Sequence, residues 1–498
     1  MKKPRRQINP QIIFWTVFCL LLIVWTFVQF HQFGQALNLN HDFAQYAFAM
    51  FDWRNAGQFP LLGPFSGMVN FNLSPLYYWI IYPFYLITNG SVFYNHIACF
   101  VYTSITFFAL ALLLHKRPAY RWSYLFLMAL ICLNPRIQSN VNDMVWNPSY
   151  TWQPIIVTWY CLVLAPQSKH RTLLNIISGV ACAISISLNL SMVPIAIGLL
   201  VVNTLRLRKN IWPWLAGFFA VLLICWLPVF TVQLDRIYHQ GLILPNKHPE
   251  ALTVSLRKLT TYPFIDWYSY SNYDQYIIQA LIVTIIILSL KKISGKKLLH
   301  QDWFQLLLVL IISTVITLIP GTTLHAHYVI GFTILIILLF ANSPSRLKYL
   351  IGVLLLTFWL AIYLKKLTVP QQASVLGIEA CFAQACQQVV PYQYNYTEYT
   401  SIITSDAYSY FLTIAGCPPA QRWGSFYLNS PEYLTETDYP LLVFHNLDGS
   451  SSDPTWLKVN IDPFYVELKS VLDEVYTNPI ASASCDDNWG WTLYGKLE

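Results

Sequence analysis

The sequence predicts a mainly α-helical polytopic membrane protein, with eleven to thirteen transmembrane helices and a small extracytoplasmic α/β domain at its C-terminal end. Three observations lead there. The chain of 498 residues is 56% hydrophobic and only 11% charged, about half the charged fraction of a soluble domain. Apolar runs near 20 residues recur along most of it, each long enough to cross a hydrocarbon core about 30 Å thick. Charge is also divided: residues 1–366 hold 26 Lys/Arg and 8 Asp/Glu, and the rest of the totals of 30 and 23, namely 4 and 15, falls in 367–498. A basic membrane body therefore precedes an acidic, water-soluble tail. The net +7 is not a nucleic-acid signature, because the basic residues sit in loops between spans. Eighteen Trp and 32 Tyr suit two membrane–water belts.

Four basic residues within 1–6 precede an apolar stretch over 11–30. That stretch is too long for the core of a signal peptide and no small-residue cleavage site follows, so it is expected to be an uncleaved first span entering from the cytoplasmic side. Further apolar segments are 75–87, 92–114, 123–133, 155–165, 173–188, 192–205, 211–230, 277–290, 304–319, 329–341 and 350–364. Basic clusters separate many of them: Lys116/Arg117/Arg121, Lys169/Arg171, Arg206/Arg208/Lys209, Lys291/Lys292/Lys296/Lys297 and Arg346/Lys348. The positive-inside rule assigns these to the cytoplasm, and one more span after the last cluster puts the tail outside. An inside N-terminus and an outside tail need an odd number of crossings. Twelve candidates make an even number, so either 75–114 is not two full spans or a further one lies near 135–150. The long external loops are 31–74 and 231–276. The division expected is a membrane body over 1–366 and a soluble extracytoplasmic domain over 367–498.

Cysteines divide at the same place. Cys19, Cys99, Cys132, Cys161, Cys182 and Cys225 lie in or beside apolar spans, where a thiol is usually a small hydrophobe. Cys381, Cys386, Cys417 and Cys485 lie in the tail. An even number in a non-cytosolic region points to two disulfides, with Cys381–Cys386 and Cys417–Cys485 preferred among three pairings. A zinc site is the weaker alternative, because the C-x4-C spacing has no matching second pair. Short alternating runs at 441–445 and 491–494, with the turn cluster Asp448-Gly449-Ser450-Ser451, mark the tail as α/β or mainly β.

Only eight carboxylates precede the tail: Asp42, Asp52, Asp143, Asp235, Glu250, Asp266, Asp274 and Asp302. Asp302 adjoins a cytoplasmic basic cluster and the others fall in external loops. Asp42 follows the first span by about ten residues, and the chain onward to Trp53 suits a short amphipathic helix in the interface. Tyr46 is one helical turn further and shares the Asp42 face. Asp52 does not, since ten residues of unbroken helix turn about 280° and rise about 15 Å. From spacing alone, a polar loop that happens to contain aspartates is the commoner case. Gly57 to Pro64 and Asn72 to Trp79 form a turn-rich loop whose aromatics anchor re-entry into the interface, a structural role that needs no ligand.

Asp42, Tyr46, the Gly-Pro loop and the run Pro75-Leu76-Tyr77-Tyr78-Trp79 together resemble the GT-C superfamily of membrane glycosyltransferases, closest to its protein mannosyltransferase and lipid A aminoarabinose transferase branch. The likeness is strong over 38–80 and general over the rest, as many spans plus an external tail. Phe43 stands where these families typically carry Glu, which leaves a single carboxylate at the motif. The resemblance implies a GT-C-like fold, a polyprenyl-phosphate-sugar donor and a catalytic Asp in the first external loop, here Asp42.

The chemistry fits that implication. An acceptor hydroxyl needs a general base, and a lipid-phosphate leaving group needs cationic or hydrogen-bonding partners. The donor-side candidates are Tyr46, Arg54, Arg136, Arg257, Lys258, His325 and His327, although cations at span ends more commonly just snorkel to headgroups. His327-Tyr328 resembles the His-Tyr or Arg-Tyr that opens a late span in the family. Asp143 and Asn147 are acceptor-side candidates, beside the more usual role of Trp146-Asn147-Pro148 as a capped turn. No cofactor is required by the sequence. A divalent metal lacks a ligand set, since His325 and His327 at i, i+2 have no external cysteine nearby.

The expected function is thus an inverting transfer of sugar from the polyprenyl-phosphate donor to a glycan, lipid or protein acceptor at the outer face of the bilayer, with the protein in a bacterial inner membrane and no nucleic-acid partner. A transporter or flippase is the first alternative. It is disfavoured because the carboxylates lie in loops rather than spans and no internal repeat is visible. A glycan polymerase or ligase is the second, in which 231–276 with Arg257 matters more than Asp42.

Overall fold

In the computed structural model the described residues are 9–31, 41–66, 71–143, 145–207, 211–240, 284, 287, 301–318, 329–368, 375–389, 395–399, 405–419, 441–446, 478–484 and 489–495. They are mainly helical: α1 (Pro10–Phe30), α2 (His41–Asn55), α3 (Leu76–Ile87), α4 (Tyr94–Leu114), α5 (Pro118–Leu133), α6 (Pro135–Gln138), α7 (Trp152–Leu164), α8 (Arg171–Leu188), α9 (Val193–Leu207), α10 (Trp212–Gln240), α11 (Asp302–Leu318), α12 (Ile330–Ala341), α13 (Leu347–Thr368), α14 (Val375–Val389) and α15 (Ser405–Ile414). Strands β1 (Phe65–Ser66) and β2 (Phe71–Asn72) pair as a minimal antiparallel hairpin. The strands β3 (Asn395–Tyr399), β4 (Leu441–Asn446), β5 (Asn478–Ser484) and β6 (Trp489–Gly495) form one sheet in the order β3-β4-β6-β5.

Two compact units partition the chain: one of Met1–His31, Pro60–Leu86 and Tyr94–Val369, the other of Gln32–Phe59, Ile87–Phe93 and Pro370–Glu498. The first is an integral-membrane helical body. Among the described residues five helices, α1, α4, α8, α10 and α13, are long and apolar enough to cross a membrane, and α3, α5, α9, α11 and α12 are shorter apolar helices. The apolar segment expected over 277–290 lies outside the described residues except at 284 and 287. Among the described residues near 135–150 there is no further span. The chain there is the one-turn α6, a π turn over Ser139–Asp143 and a 3-10 turn over Asn147–Tyr150.

The body is centred on α7 and α12. Every residue of α12 and all but Val157 of α7 are buried, as expected of helices apolar around their whole circumference. Between α7 and α8 the contact is polar as well as apolar: Ser178 Oγ donates to Thr158 O at 3.0 Å and Trp214 Nε1 of α10 donates to Ser178 Oγ at 3.2 Å. A Cβ on Gly179 would lie 2.0 Å from Trp214 O, so α8 and α10 approach closely only because a small residue stands there.

At one end of the body Arg206 joins α5, α7, α9 and α11. Its Nη1 meets Asp302 Oδ1 at 2.8 Å and Gln305 Oε1 at 2.6 Å, and its Nη2 donates to Val163 O at 3.2 Å. Tyr120 Oη donates to the other Asp302 oxygen at 2.8 Å. Asp302, read from sequence only as a neighbour of basic residues, is the centre of a part-buried network. On α13, Lys348 Nζ donates to Ala341 O at 2.7 Å, satisfying a carbonyl that the end of α12 leaves open.

In the second unit, β3 runs parallel to β4, while β4–β6 and β6–β5 are antiparallel, with a bulge between Pro479 and Ala481. The runs expected at 441–445 and 491–494 fall within β4 and β6. Leu442, Trp491 and Leu493 are buried, the inward positions of a period-two pattern. Phe382 of α14 stacks on Phe411 of α15 with ring centroids 5.5 Å apart.

The cysteine pairing differs from the preferred one. Cys386 is bonded to Cys417, with Cα atoms 5.7 Å apart, and Cys381 is also disulfide-bonded. Cys381 and Cys386 both belong to α14. Five residues along a helix rise about 7.5 Å and turn about 140°, which puts the two Cα atoms beyond the roughly 7 Å that a disulfide spans. The Cys381–Cys386 pairing is thus excluded by the helix itself, and Cys417–Cys485 by the use of Cys417 elsewhere. Cys485 lies outside the described residues.

Two outcomes test this architecture. Peptide mapping of the non-reduced protein recovers Cys386 and Cys417 in one linked species, and a Cys381–Cys386 loop peptide would contradict the fold of the second unit. Asp302→Ala strips Arg206 and Tyr120 of a charged partner and costs about 2–3 kcal/mol, read as a lowered Tm in detergent. An unchanged melt would remove the network as a stabilising element.

Candidate functional site

Helix α2 carries the first group of candidates. It runs unbroken over His41–Asn55, with Asp42 as its second residue; nothing is described of the Asp42 side chain. Phe43, Tyr46, Ala47 and Met50 are buried, a stripe at i, i+3, i+4 and i+7 that marks the packed face of a helix. Asp52, Arg54 and Asn55 are exposed. Because the helix does not break, Asp52 stays about 15 Å along the axis from Asp42, and the two do not form a carboxylate pair.

The stripe on α2 is covered by α15. Tyr410, fully buried, sets its ring edge-on to Phe43 at 6.0 Å and to Phe48 at 5.4 Å. Its hydroxyl donates to Gly90 O at 2.8 Å. Arg54, at the other end of α2, donates from Nη2 to Asn89 Oδ1 at 2.7 Å. Asn89 and Gly90 are consecutive residues with positive φ, 54° and 81°, the conformation an Asn-Gly pair adopts most readily. One tight turn therefore accepts hydrogen bonds from both α2 and α15. All of these residues lie in the second unit.

In the helical body the re-entry loop is organised without a ligand. Gly63 N donates to Leu73 O at 2.9 Å and Leu73 N to Pro64 O at 2.8 Å. Trp79 Nε1 donates to Pro60 O at 2.7 Å. Gln233, a non-helical residue within α10, accepts from Asn72 N at 2.9 Å and donates to Asn72 Oδ1. A Cβ on Gly63 would lie 2.0 Å from Ser74 O, which explains a glycine in the Gly-Pro pair on steric grounds.

The body also contains a buried polar seam built on 134–153. Gln29 of α1 donates to Gln138 Oε1 at 2.8 Å, and His96 Nε2 donates to Gln29 O at 3.1 Å. Asn95 Nδ2 donates to Tyr77 Oη at 2.7 Å and to Val145 O, and Tyr150 Oη donates to Asn95 Oδ1 at 2.7 Å. Asn147 Nδ2 donates to Leu188 O at 2.9 Å. Arg136 is buried within α6. Asn147 thus ties the 3-10 turn to the end of α8, the capping role that competes with an acceptor-side one.

The sequence candidates are therefore distributed as follows. Asp42, Tyr46 and Arg54 share α2; Arg136 and Asn147 share the seam, with Asp143 at the end of the intervening π turn. Arg257, Lys258, His325 and His327 lie outside the described residues. Reading from sequence missed Asn95, Gln138 and Tyr410. The Asn89-Gly90 dipeptide is a turn signal and was legible; nothing local distinguishes Tyr410 from the other tyrosines of the tail.

No family model matches the chain, and no curated protein matches it. Among solved structures it is similar to ArnT from Cupriavidus metallidurans bound to undecaprenyl phosphate, at 12% identity and a TM-score of 0.48 over 96% of this chain and 98% of that one. It is similar to the same protein in the apo state at the same identity and TM-score, over 96% and 97%.

The loop gives the prediction. Gly63→Ala forces a methyl group into the Ser74 carbonyl and costs about 1–3 kcal/mol, seen as a lower Tm and greater protease sensitivity over 57–75. A variant as stable as the parent would show that the loop has room it is not shown to have.

Proposed function

We propose that this chain is a membrane glycosyltransferase of the GT-C type, moving a sugar from a polyprenyl-phosphate carrier to a glycan, lipid or protein acceptor on the extracytoplasmic face. Asp42 acts as general base. The observation that carries the reading is that α2 belongs to the same compact unit as the Cys386–Cys417 disulfide. Disulfides persist in oxidising compartments. A helix that folds as part of a disulfide-bonded unit shares its side of the membrane, which supports an outside location for Asp42.

The residues supply what such a transfer needs. Asp42 takes the proton of the acceptor hydroxyl as that oxygen attacks the anomeric carbon. The bond from the anomeric carbon to phosphate oxygen breaks, and the polyprenyl phosphate leaves with its electron pair. One displacement inverts the anomeric centre. The dianionic leaving group calls for fixed positive charge, drawn from Arg54, Arg136, Arg257, Lys258, His325 and His327. One Arg54 nitrogen is engaged by Asn89, which aims its guanidinium while leaving other N–H groups to donate.

The test compares a strain lacking the gene with the same strain carrying the parent chain or Asp42→Asn, each at equal membrane abundance. Envelope glycans, lipids and proteins are compared by mass spectrometry. The parent restores a glycosylated acceptor, and Asp42→Asn lowers its rate of appearance by about 10²–10⁴, the range of general base catalysis. Full restoration by Asp42→Asn would eliminate Asp42 as the base. Loss in Arg257→Ala with retention in Asp42→Asn would favour the polymerase or ligase plan instead.

A further inference from the structure

The second unit contains a device whose placement points to a role in the reaction. Residues from three separate parts of the chain meet at α2. Tyr410 of α15 packs its ring on Phe43 and Phe48 of α2 and donates its hydroxyl to Gly90 O. Arg54, in the last turn of α2, donates to Asn89 Oδ1 in the same turn. Phe43 is the residue next to Asp42. The turn has two successive residues with positive φ, a backbone that Asn and Gly adopt at little cost, and it presents one side-chain and one main-chain acceptor to the two helices. The far side of α15 is braced in turn: Phe411 stacks on Phe382 of α14, and Cys417, just beyond the end of α15, is bonded to Cys386 of α14.

From this we infer that Tyr410 and the Asn89–Gly90 turn are positioning elements for transfer, gripping α2 at both ends and so fixing where Asp42 stands. The inference rests on the proposed role of Asp42 and extends it. The exported tail is then part of the catalytic apparatus. Its α14–α15 pair, braced by the disulfide, is the wall against which α2 is held. A 15-residue helix isolated in water is marginal at best. Its order comes from the buried stripe and from the hydrogen bond of Arg54 to the turn, which also accepts from Tyr410 of α15. Misplacement by about 1 Å is enough to cost a transfer reaction about 10²-fold, so loosening this grip lowers turnover without touching the reacting atoms.

The experiment uses the full chain in detergent or nanodiscs and reads α2 directly by hydrogen–deuterium exchange, beside product formation in the complemented strain. Tyr410→Ala removes the ring contacts and the donor; Tyr410→Phe keeps the rings; Asn89→Gly keeps the backbone conformation and removes the acceptor for Arg54. Tyr410→Ala is expected to speed exchange over 41–55 by about tenfold or more, with α1 and α5 unchanged and product formation down about 10- to 100-fold. Tyr410→Phe restores most of both. Asn89→Gly loosens the C-terminal half of α2 and gives a smaller loss. Recovery of the Cys386–Cys417 linkage shows that a variant has folded. If Tyr410→Ala does not fold, Phe48→Ala weakens the same contact from the α2 side and carries the same expectation at smaller size. Unchanged exchange over 41–55 in Tyr410→Ala or Phe48→Ala overturns the grip, whatever the activity. Faster exchange with undiminished product overturns the positioning role. Exchange is measured without substrate, so the first result is independent of the Asp42 proposal; the second is separated from its failure by Asp42→Asn, which in that case still loses product while Tyr410→Ala does not.

Discussion

The aromatic stripe of α2 must be buried, and the structure buries it on α15. Phe43, Tyr46, Ala47 and Met50 form a continuous apolar face. Left in water that face would cost about 1.5–3 kcal/mol for each large side chain. Against Tyr410 and its neighbours the cost becomes the force that holds the helix, and the hydrogen bonds from Tyr410 to Gly90 and from Arg54 to Asn89 give the packing a single orientation. Much else follows from this contact. It places α2 in the same compact unit as the tail, and it makes the disulfide-braced α14–α15 pair a support for the helix that carries Asp42.

A second constraint governs the helical body. Polar groups removed from water must find partners inside the protein, and the segment over 134–153 is rich in them. The solution is a seam in which Gln29, Asn95, His96, Gln138, Asn147 and Tyr150 hydrogen-bond one another or nearby carbonyls. The bonds join different elements, some far apart in sequence, as Gln29 and Gln138 are. The network around Arg206 and Asp302 does the same at one end of α5, α7, α9 and α11. In both places polar side chains specify which helices are neighbours, a task that apolar contacts alone perform poorly because they are non-directional.

Much of the helical layout was legible from residue order. The apolar segment 92–114 became α4, 329–341 became α12, and the alternating run at 441–445 became β4, because length and period are local properties. The candidate site was legible in part. Asp42 and Tyr46 do share an unbroken helix, and that helix excludes the Asp42–Asp52 pair. The disulfide pairing was not legible, since sequence spacing brings Cys381 and Cys386 close while the helix over Val375–Val389 holds them apart. Nor was the partner of α2: an amphipathic helix beside a membrane span reads as an interfacial one, and only the folded chain shows Tyr410 against Phe43 and Phe48.

What the residue order by itself determined is the class of object: a chain of apolar helices that belongs in a bilayer, with an acidic cysteine-bearing tail and one carboxylate set just beyond the first span. Hydrophobicity and charge are summed along the chain, so they are readable without a fold. Tertiary structure alone decided which cysteine meets which, what covers α2, and how Asn89, Gly90, Arg54 and Tyr410 come together. These are contacts across as many as 320 residues. Their partners are chosen by burial and hydrogen-bond geometry in three dimensions, for which no pattern along the chain stands in.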